Sequence, residues 1–213
     1  MNMSIIASAR LRERPFEYAA NGVTVVLKAG RGVGATGQVD GDNSGKIYTA
    51  VNETQLRAII NEGDANTDLT GFCTTLVTNM SGTLPGFIVV PFINVDSNQN
   101  ISSWDVSNVD NMSRMFGETT NFNQPLNNWD VSNVTSMKGM FRDTTSFNQP
   151  LNNWDVSSVT NMLSMFQNAE AYNQDLSGWC VTNIQGPSDL ISFDTNADDW
   201  VLADSRPIWG TCP

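Results

Sequence analysis

The chain has 213 residues, 40% of them hydrophobic, which is enough to bury a core in one large domain or in a small domain joined to a repeat array. Only 15% are charged, and the net charge of −11 disfavours phosphate backbones and anionic lipid surfaces as partners. Histidine is absent and the three cysteines form no CxxC, which removes the commonest general base and metal ligand, so neither a cofactor nor a metal site is expected.

At the N-terminus, Met1-Asn2-Met3-Ser4-Ile5-Ile6 runs directly into Arg10-Leu11-Arg12-Glu13-Arg14 with no apolar stretch of leader type, and no run approaches the roughly 18 apolar residues of a membrane span. The expectation is a chain without membrane insertion, whose leader was removed or which reaches the outside by another route, such as a phage particle released by lysis. Residues 23–27 read as a strand, 30–45 as a flexible loop, 46–50 as a second strand and 53–61 as a short helix. With seven Lys/Arg against eight Asp/Glu, residues 1–68 are close to neutral and are expected to be a small mixed segment that attaches to other virion or surface proteins.

Two motifs in this segment are weak. Gly32-Val33-Gly34-Ala35-Thr36-Gly37 fits GxGxxG after a strand, but a phosphate loop must open a helix, and Gln38-Val39-Asp40-Gly41-Asp42 follows instead. Asp40, Asp42, Ser44 and Gly45 mimic the first half of a calcium loop, yet Val51 stands where the bidentate Glu belongs, so a solvated turn is expected.

From residue 69 the chain is repetitive and carries four Lys/Arg against fourteen Asp/Glu. Trp104, Trp129, Trp154 and Trp179 lie 25 residues apart without slippage. In register with them run Phe122, Phe147 and Tyr172; Leu126, Leu151 and Leu176; Val131, Val156 and Val181; and Met-Phe pairs at 115–116, 140–141 and 165–166. Leu126-Asn127-Asn128-Trp129-Asp130-Val131 has LxxLxL spacing, which predicts a short strand with Trp129 and Val131 on one side and Asp130 on the other. Val134, Met137, Met140 and Phe141 recur at helical spacing. The expected class is α/β: a leucine-rich-repeat-like right-handed solenoid over 69–213 with one short strand and one short helix per unit. Both ends read as caps: a degenerate first repeat over 69–100, with a longer loop through Pro85, Pro91 and Ile93, and a C-terminal cap over 185–213. There Gln185-Gly186-Pro187 ends the array, and Trp200-Val201-Leu202 with Pro207-Ile208-Trp209 cover the last rung.

The periodic rings and methionines are assigned to the core; Trp200 and Trp209, outside the repeat, are expected to be partly exposed. Asp105, Asp130 and Asp155 should stack along an outward ladder at about 4.8 Å, either as a solvated acidic stripe or as a cation or ligand ridge. With Asn128 and Asn153 they are the candidate ligand or partner surface. Acid–base catalysis needs carboxylates in unlike surroundings, and a repeated ladder supplies like ones, so no catalytic residue is expected. Cys73 and Cys180 share a column four rungs apart, about 19 Å, which rules out a bond between them and leaves Cys180 with Cys212 as the pair for an oxidising compartment.

The units FNQPLNNWDVSNVTSMKGMF and FNQPLNNWDVSSVTNMLSMF, and the ending Trp209-Gly210-Thr211-Cys212-Pro213, resemble the BspA-like leucine-rich repeats of bacterial surface proteins over about residues 69–213. The resemblance implies a non-catalytic, outward-facing recognition module, of a kind found on bacterial surfaces and in some phage proteins, and it supplies no catalytic residues. The expectation is a virion spike, fibre or decoration protein whose solenoid contacts a host-surface protein or glycan; a cell-surface or secreted adhesin and a structural cement protein are the alternatives. A homo-oligomer is compatible with each.

Overall fold

The computed structural model describes residues 14–42, 44–62, 67–82, 97–184, 192–200 and 205–213. The opening residues through Glu13, the loop through Pro85, Pro91 and Ile93, the Gln185-Gly186-Pro187 break and the Val201-Leu202 pair lie outside the described residues.

The elements in chain order are β1 (Phe16–Tyr18), β2 (Val25–Leu27), β3 (Thr36–Gly37), β4 (Tyr48–Asn52), α1 (Glu53–Glu62) and β5 (Phe72–Leu76). β1 pairs antiparallel with β2, β3 antiparallel with β4, and β4 parallel with β5. Parallel neighbours need a crossover rather than a tight turn, and α1 lies in it. Asn52 ends β4 and starts α1: its Oδ1 accepts the Gln55 N–H at 3.0 Å, while its own N–H donates to Gln55 Oε1 at 3.3 Å, a reciprocal capping box. Leu56 and Ile60, one turn apart, enter the main core.

Two features differ from the sequence expectation here. Thr36 and Gly37, expected in a flexible loop, pair as β3, and glycine is needed because a Cβ at Gly37 would lie 2.6 Å from Pro15 Cδ. The division expected at residue 68 runs between paired strands, since β5 bonds β4 and so satisfies the backbone groups of its edge. This sheet has two covered faces: Ala50 and Cys73 face a small core with Phe16, Val25, Val39 and Tyr48, whereas Val51 and Phe72 face the main core of the repeats.

Each repeat is a chain of tight turns. Trp129 N–H returns to Leu126 O, Val134 to Val131 O, Met140 to Met137 O and Thr144 to Phe141 O, and the units on either side repeat the pattern 25 residues away. The strand expected at residues 129–131 is not formed, because turns close on both sides of it. Pairing between units consists of isolated parallel bridges, Asn79 with Asn111, Asn111 with Ser136 and Ser136 with Asn161. The helix expected over residues 134–141 is not formed either. Arg114, Gly139 and Ser164 have φ of 56°, 60° and 55°, and Glu118, Asp143 and Asn168 have φ of 66°, 59° and 57°. A left-handed residue every fourth position breaks a right-handed helix, and the three-residue spacing of the methionines belongs to turns.

Neighbouring units are joined by a backbone ladder that runs forward through the Met-Phe segment, while the N–H groups of Asp110, Thr135 and Thr160 donate back to the carbonyls of Thr78, Asp110 and Thr135 at 2.8–2.9 Å. N–H groups of Met112, Arg114, Phe116 and Glu118 donate to the carbonyls of Ser136, Lys138, Met140 and Arg142, at 2.7–2.9 Å, and the next pair of units repeats this. Side chains add a second ladder: Asn98, Asn123 and Asn148 each accept, through Oδ1, the backbone N–H of the residue 25 positions on at 2.9–3.0 Å. Inside, Phe116, Phe141 and Phe166 stack at 5.4 Å, while Phe122, Phe147 and Tyr172 stack beside them at 5.9–6.0 Å.

The ladder does not stop at Gln185. Phe166 N–H donates to Phe193 O at 2.7 Å and Asn168 N–H to Thr195 O at 2.8 Å, so residues 192–200 take the places of 164–172 with a 28-residue offset. Ser192 and Asn196 repeat the left-handed positions, with φ of 58° and 60°. Trp200, expected to be partly exposed, takes the place of Tyr172 and is only 3% exposed; Trp209 is half-buried against the core.

Candidate functional site

The outward face of the units is organised by Asp-x-Ser turns. A carboxylate next to a tight bend can accept the N–H and hydroxyl of the residue two positions on, fixing the bend and orienting the acid. Asp105 Oδ1 accepts Ser107 N–H at 3.1 Å and its Oγ at 2.7 Å; Asp130 Oδ1 accepts Ser132 N–H at 3.2 Å and its Oγ at 2.6 Å; Asp155 Oδ1 accepts Ser157 N–H at 3.0 Å. The hydroxyl and N–H of Ser157 favour the charged form of Asp155 and lower its pKa. Sequence reasoning did not single out these serines as site residues, although W-D-V-S recurs in register.

The three aspartates do not form one exposed ladder. Asp105 is 3% exposed, whereas Asp130 and Asp155 face solvent. The β1–β2 layer covers this end of the column: Val25 N–H donates to Ser103 O at 2.9 Å, Leu27 N–H to Thr75 Oγ1 at 3.1 Å, and Cys73 Sγ–H to Val25 O at 3.3 Å. Burial raises the pKa of the Cys73 thiol. The turn after β1 reaches one unit further, where Asn21 Nδ2 donates to Asn128 O at 3.0 Å. Composition could not reveal a contact of that sequence separation.

At the other end of the column Cys180 stands where the three units before it have aspartate, and it is bonded to Cys212. The face left open therefore spans two units and carries Asp130, Asp155, Asn128 and Asn153, all exposed. Asn127 Nδ2 donates to Asn152 Oδ1 at 3.3 Å and Asn153 N–H to Asn127 Oδ1 at 3.0 Å, so amides as well as acids cross from one unit to the next. The aromatic rings of these units are buried and leave a hydrogen-bonding, acidic surface outside.

The weak motifs of the N-terminal segment are used locally. The glycine loop leads into β3 rather than a helix, and Gly34 N–H bonds Ala50 O at 2.8 Å. Asp42 accepts Ser44 N–H and Oγ, each at 2.8 Å, which lowers its pKa, while Asp40 pairs with Lys28. Among the described residues no group of three or more Asp, Glu or Cys is placed to hold a metal ion.

A family model described as Mycoplasma protein of unknown function, DUF285, matches residues 89–200, more than half of the chain. The match is compatible with a BspA-like surface repeat protein. No curated protein and no solved structure matches the chain.

Proposed function

The chain belongs to the DUF285 family, and from that premise we propose that residues 69–213 form a right-handed leucine-rich-repeat-like solenoid working as a non-catalytic, surface-displayed recognition module. The observation that carries this reading is the two-unit face of Asp130, Asp155, Asn128 and Asn153, framed by the β1–β2 layer and the disulfide-bound tail. The solenoid is supported by parallel bridges between units and by a backbone ladder that repeats from unit to unit. A binding role is supported by like surroundings for Asp130 and Asp155, each turned onto the serine two residues on, which divides no labour between an acid and a base.

The module is carried on a virion as a spike, fibre or decoration component, or on a cell; the family description, of a Mycoplasma protein, favours the cellular placement as a second reading. The N-terminal segment attaches it and the open face meets a protein or glycan of the opposing surface. Binding of fluorescently labelled protein to intact cells tests the function: Asp130→Lys with Asp155→Lys is expected to reduce binding about tenfold or more while circular dichroism stays unchanged. Undiminished binding by that variant removes the face from the account, and turnover of a surface polysaccharide that is lost in Asp130→Asn makes the protein an enzyme instead. Immunogold labelling of particles against cell envelopes separates the two placements.

A further inference from the structure

We propose that the Cys180–Cys212 disulfide is a redox-set latch on the C-terminal tail, open while both cysteines are thiols and closed once the chain enters an oxidising compartment. Cys180 occupies the column that holds Cys73, Asp105, Asp130 and Asp155, and three units that carry aspartate there show that the fold of a unit does not itself call for cysteine. Behind the tail the array has its own closure. Phe193 and Thr195 accept the ladder, the Trp200 ring stands edge-on to Tyr172 at 5.0 Å, and Trp200 Nε1–H donates to Ser205 Oγ at 2.7 Å. Arg206 is anchored to Asp194 and to Trp200 O, which places the hinge after residue 206.

Beyond that hinge the tail returns to the last unit. Val181 N–H donates to Thr211 O at 2.8 Å, Gly210 N–H to Val181 O at 3.2 Å, and the Trp209 ring meets Phe193 edge-on at 4.9 Å. Gly210, Thr211, Cys212 and Pro213 are exposed, so a thiolate can reach the Cys212 sulfur, whereas Cys73 is 0% exposed and stays out of exchange.

Opening is thiol–disulfide exchange with a dithiol reductant. Its first thiolate attacks Cys212 Sγ to form a mixed disulfide, and Cys180 leaves as a thiolate that takes up a proton. The second thiol then displaces Cys212 as a thiol, so two electrons pass to the protein and the reductant ends as a disulfide. Closing reverses these steps against a disulfide oxidant. The freed segment, 207–213, uncovers Val181 N–H and one side of Phe193, while the ladder before it stays paired.

Amide hydrogen exchange on the whole chain, with and without dithiothreitol, tests the latch. Full reduction, verified as three free thiols, is expected to raise exchange at Val181, Gly210 and Thr211 about tenfold or more and to leave Met112 to Phe166 unchanged. The Cys180→Asp, Cys212→Ser double variant, which places at 180 the residue type of the three preceding units, is expected to behave like the reduced protein without reductant. Unchanged protection of 207–213 after full reduction overturns the proposal. So does faster exchange throughout the array in both the reduced protein and the variant, since the bond would then be a general staple, and so do three free thiols in unreduced protein from an oxidising medium.

Discussion

The two ends of the array are closed by different chemistry, and the difference follows from the direction of the ladder. Along the Met-Phe segment each unit offers N–H groups to the following unit and carbonyls to the preceding one, so in that segment the first unit is left with carbonyls that face no earlier repeat. Asn79 O and Ser81 O hold those places, and Arg57 on α1 donates to them through Nη2 at 3.3 Å and Nη1 at 2.9 Å, while Glu53 holds its Nε at 3.0 Å. A planar guanidinium is suited to this, because one side chain presents several donors in a fixed fork. At the far end the parallel ring stack would present an open ring face. Trp200 turns its edge onto Phe166 and Tyr172 at interplanar angles of 78° and 77°, and Phe193 does the same to Phe166 at 74°. The positive edge of one ring meets the negative face of another, and the column ends without a further parallel ring.

Single substitutions at each end sharpen this contrast. Trp200→Ala is expected to have the largest effect, about 3–5 kcal/mol of stability, because a fully packed ring is lost and the stack beneath it opens. Urea denaturation measures it, and a loss below about 1 kcal/mol, the scale of a surface substitution, would mean that the edge-on ring is not what closes this end. Arg57→Ala follows, at about 1–3 kcal/mol, since two carbonyls at the open edge lose their donors. Arg57→Lys should recover little of it, as an ammonium cannot fork between the two positions. Full recovery by lysine would reduce the role of Arg57 to its charge.

What could be read beforehand divides along similar lines. The Trp, Phe and Met columns are buried because a 25-residue period forces equivalent side chains into one stack, and such a period is visible in a single sequence. The path between the columns was hidden, because the left-handed turn positions are occupied by Arg114, Glu118, Asp143, Ser164 and Asn168 as well as by Gly139. Glycine would have marked them; ordinary residues held there by tertiary packing do not. The last unit was legible but masked by its changed spacing: Ser192, Asn196-Ala197 and Trp200 repeat the intervals of Ser164, Asn168-Ala169 and Tyr172. On the candidate face, the repeat placed Asp130, Asp155, Asn128 and Asn153 outward. The burial of Asp105 depends on β2, whose position over β5 is set by the small core of Phe16, Val25 and Cys73 rather than by any local pattern.

The smallest expected effect concerns a motif common to both regions, the carboxylate turned onto a hydroxyl two residues on. Asp42 with Ser44 and Asp68 with Thr70 represent it before the repeats, Asp155 with Ser157 and Asp175 with Ser177 within them, and in all four the hydrogen bonds lower the pKa. The folded chain then binds fewer protons than the unfolded chain in the acid range. The stability from these groups is therefore fully present above the unfolded carboxylate value of about 3.9 and is lost as pH falls through the lower folded values. Because the side chains are largely exposed, the loss is small, and it is opposed by relief of self-repulsion as a net charge of −11 is neutralised. A variant comparison separates the two. Asp155→Asn with Asp175→Asn keeps an acceptor for each turn and removes two titrating groups, so its thermal midpoint should fall less than that of the native chain between neutral pH and about pH 3. A fall equal to or larger than the native one would mean that these turns are held by the backbone bend rather than by the charge on the carboxylate.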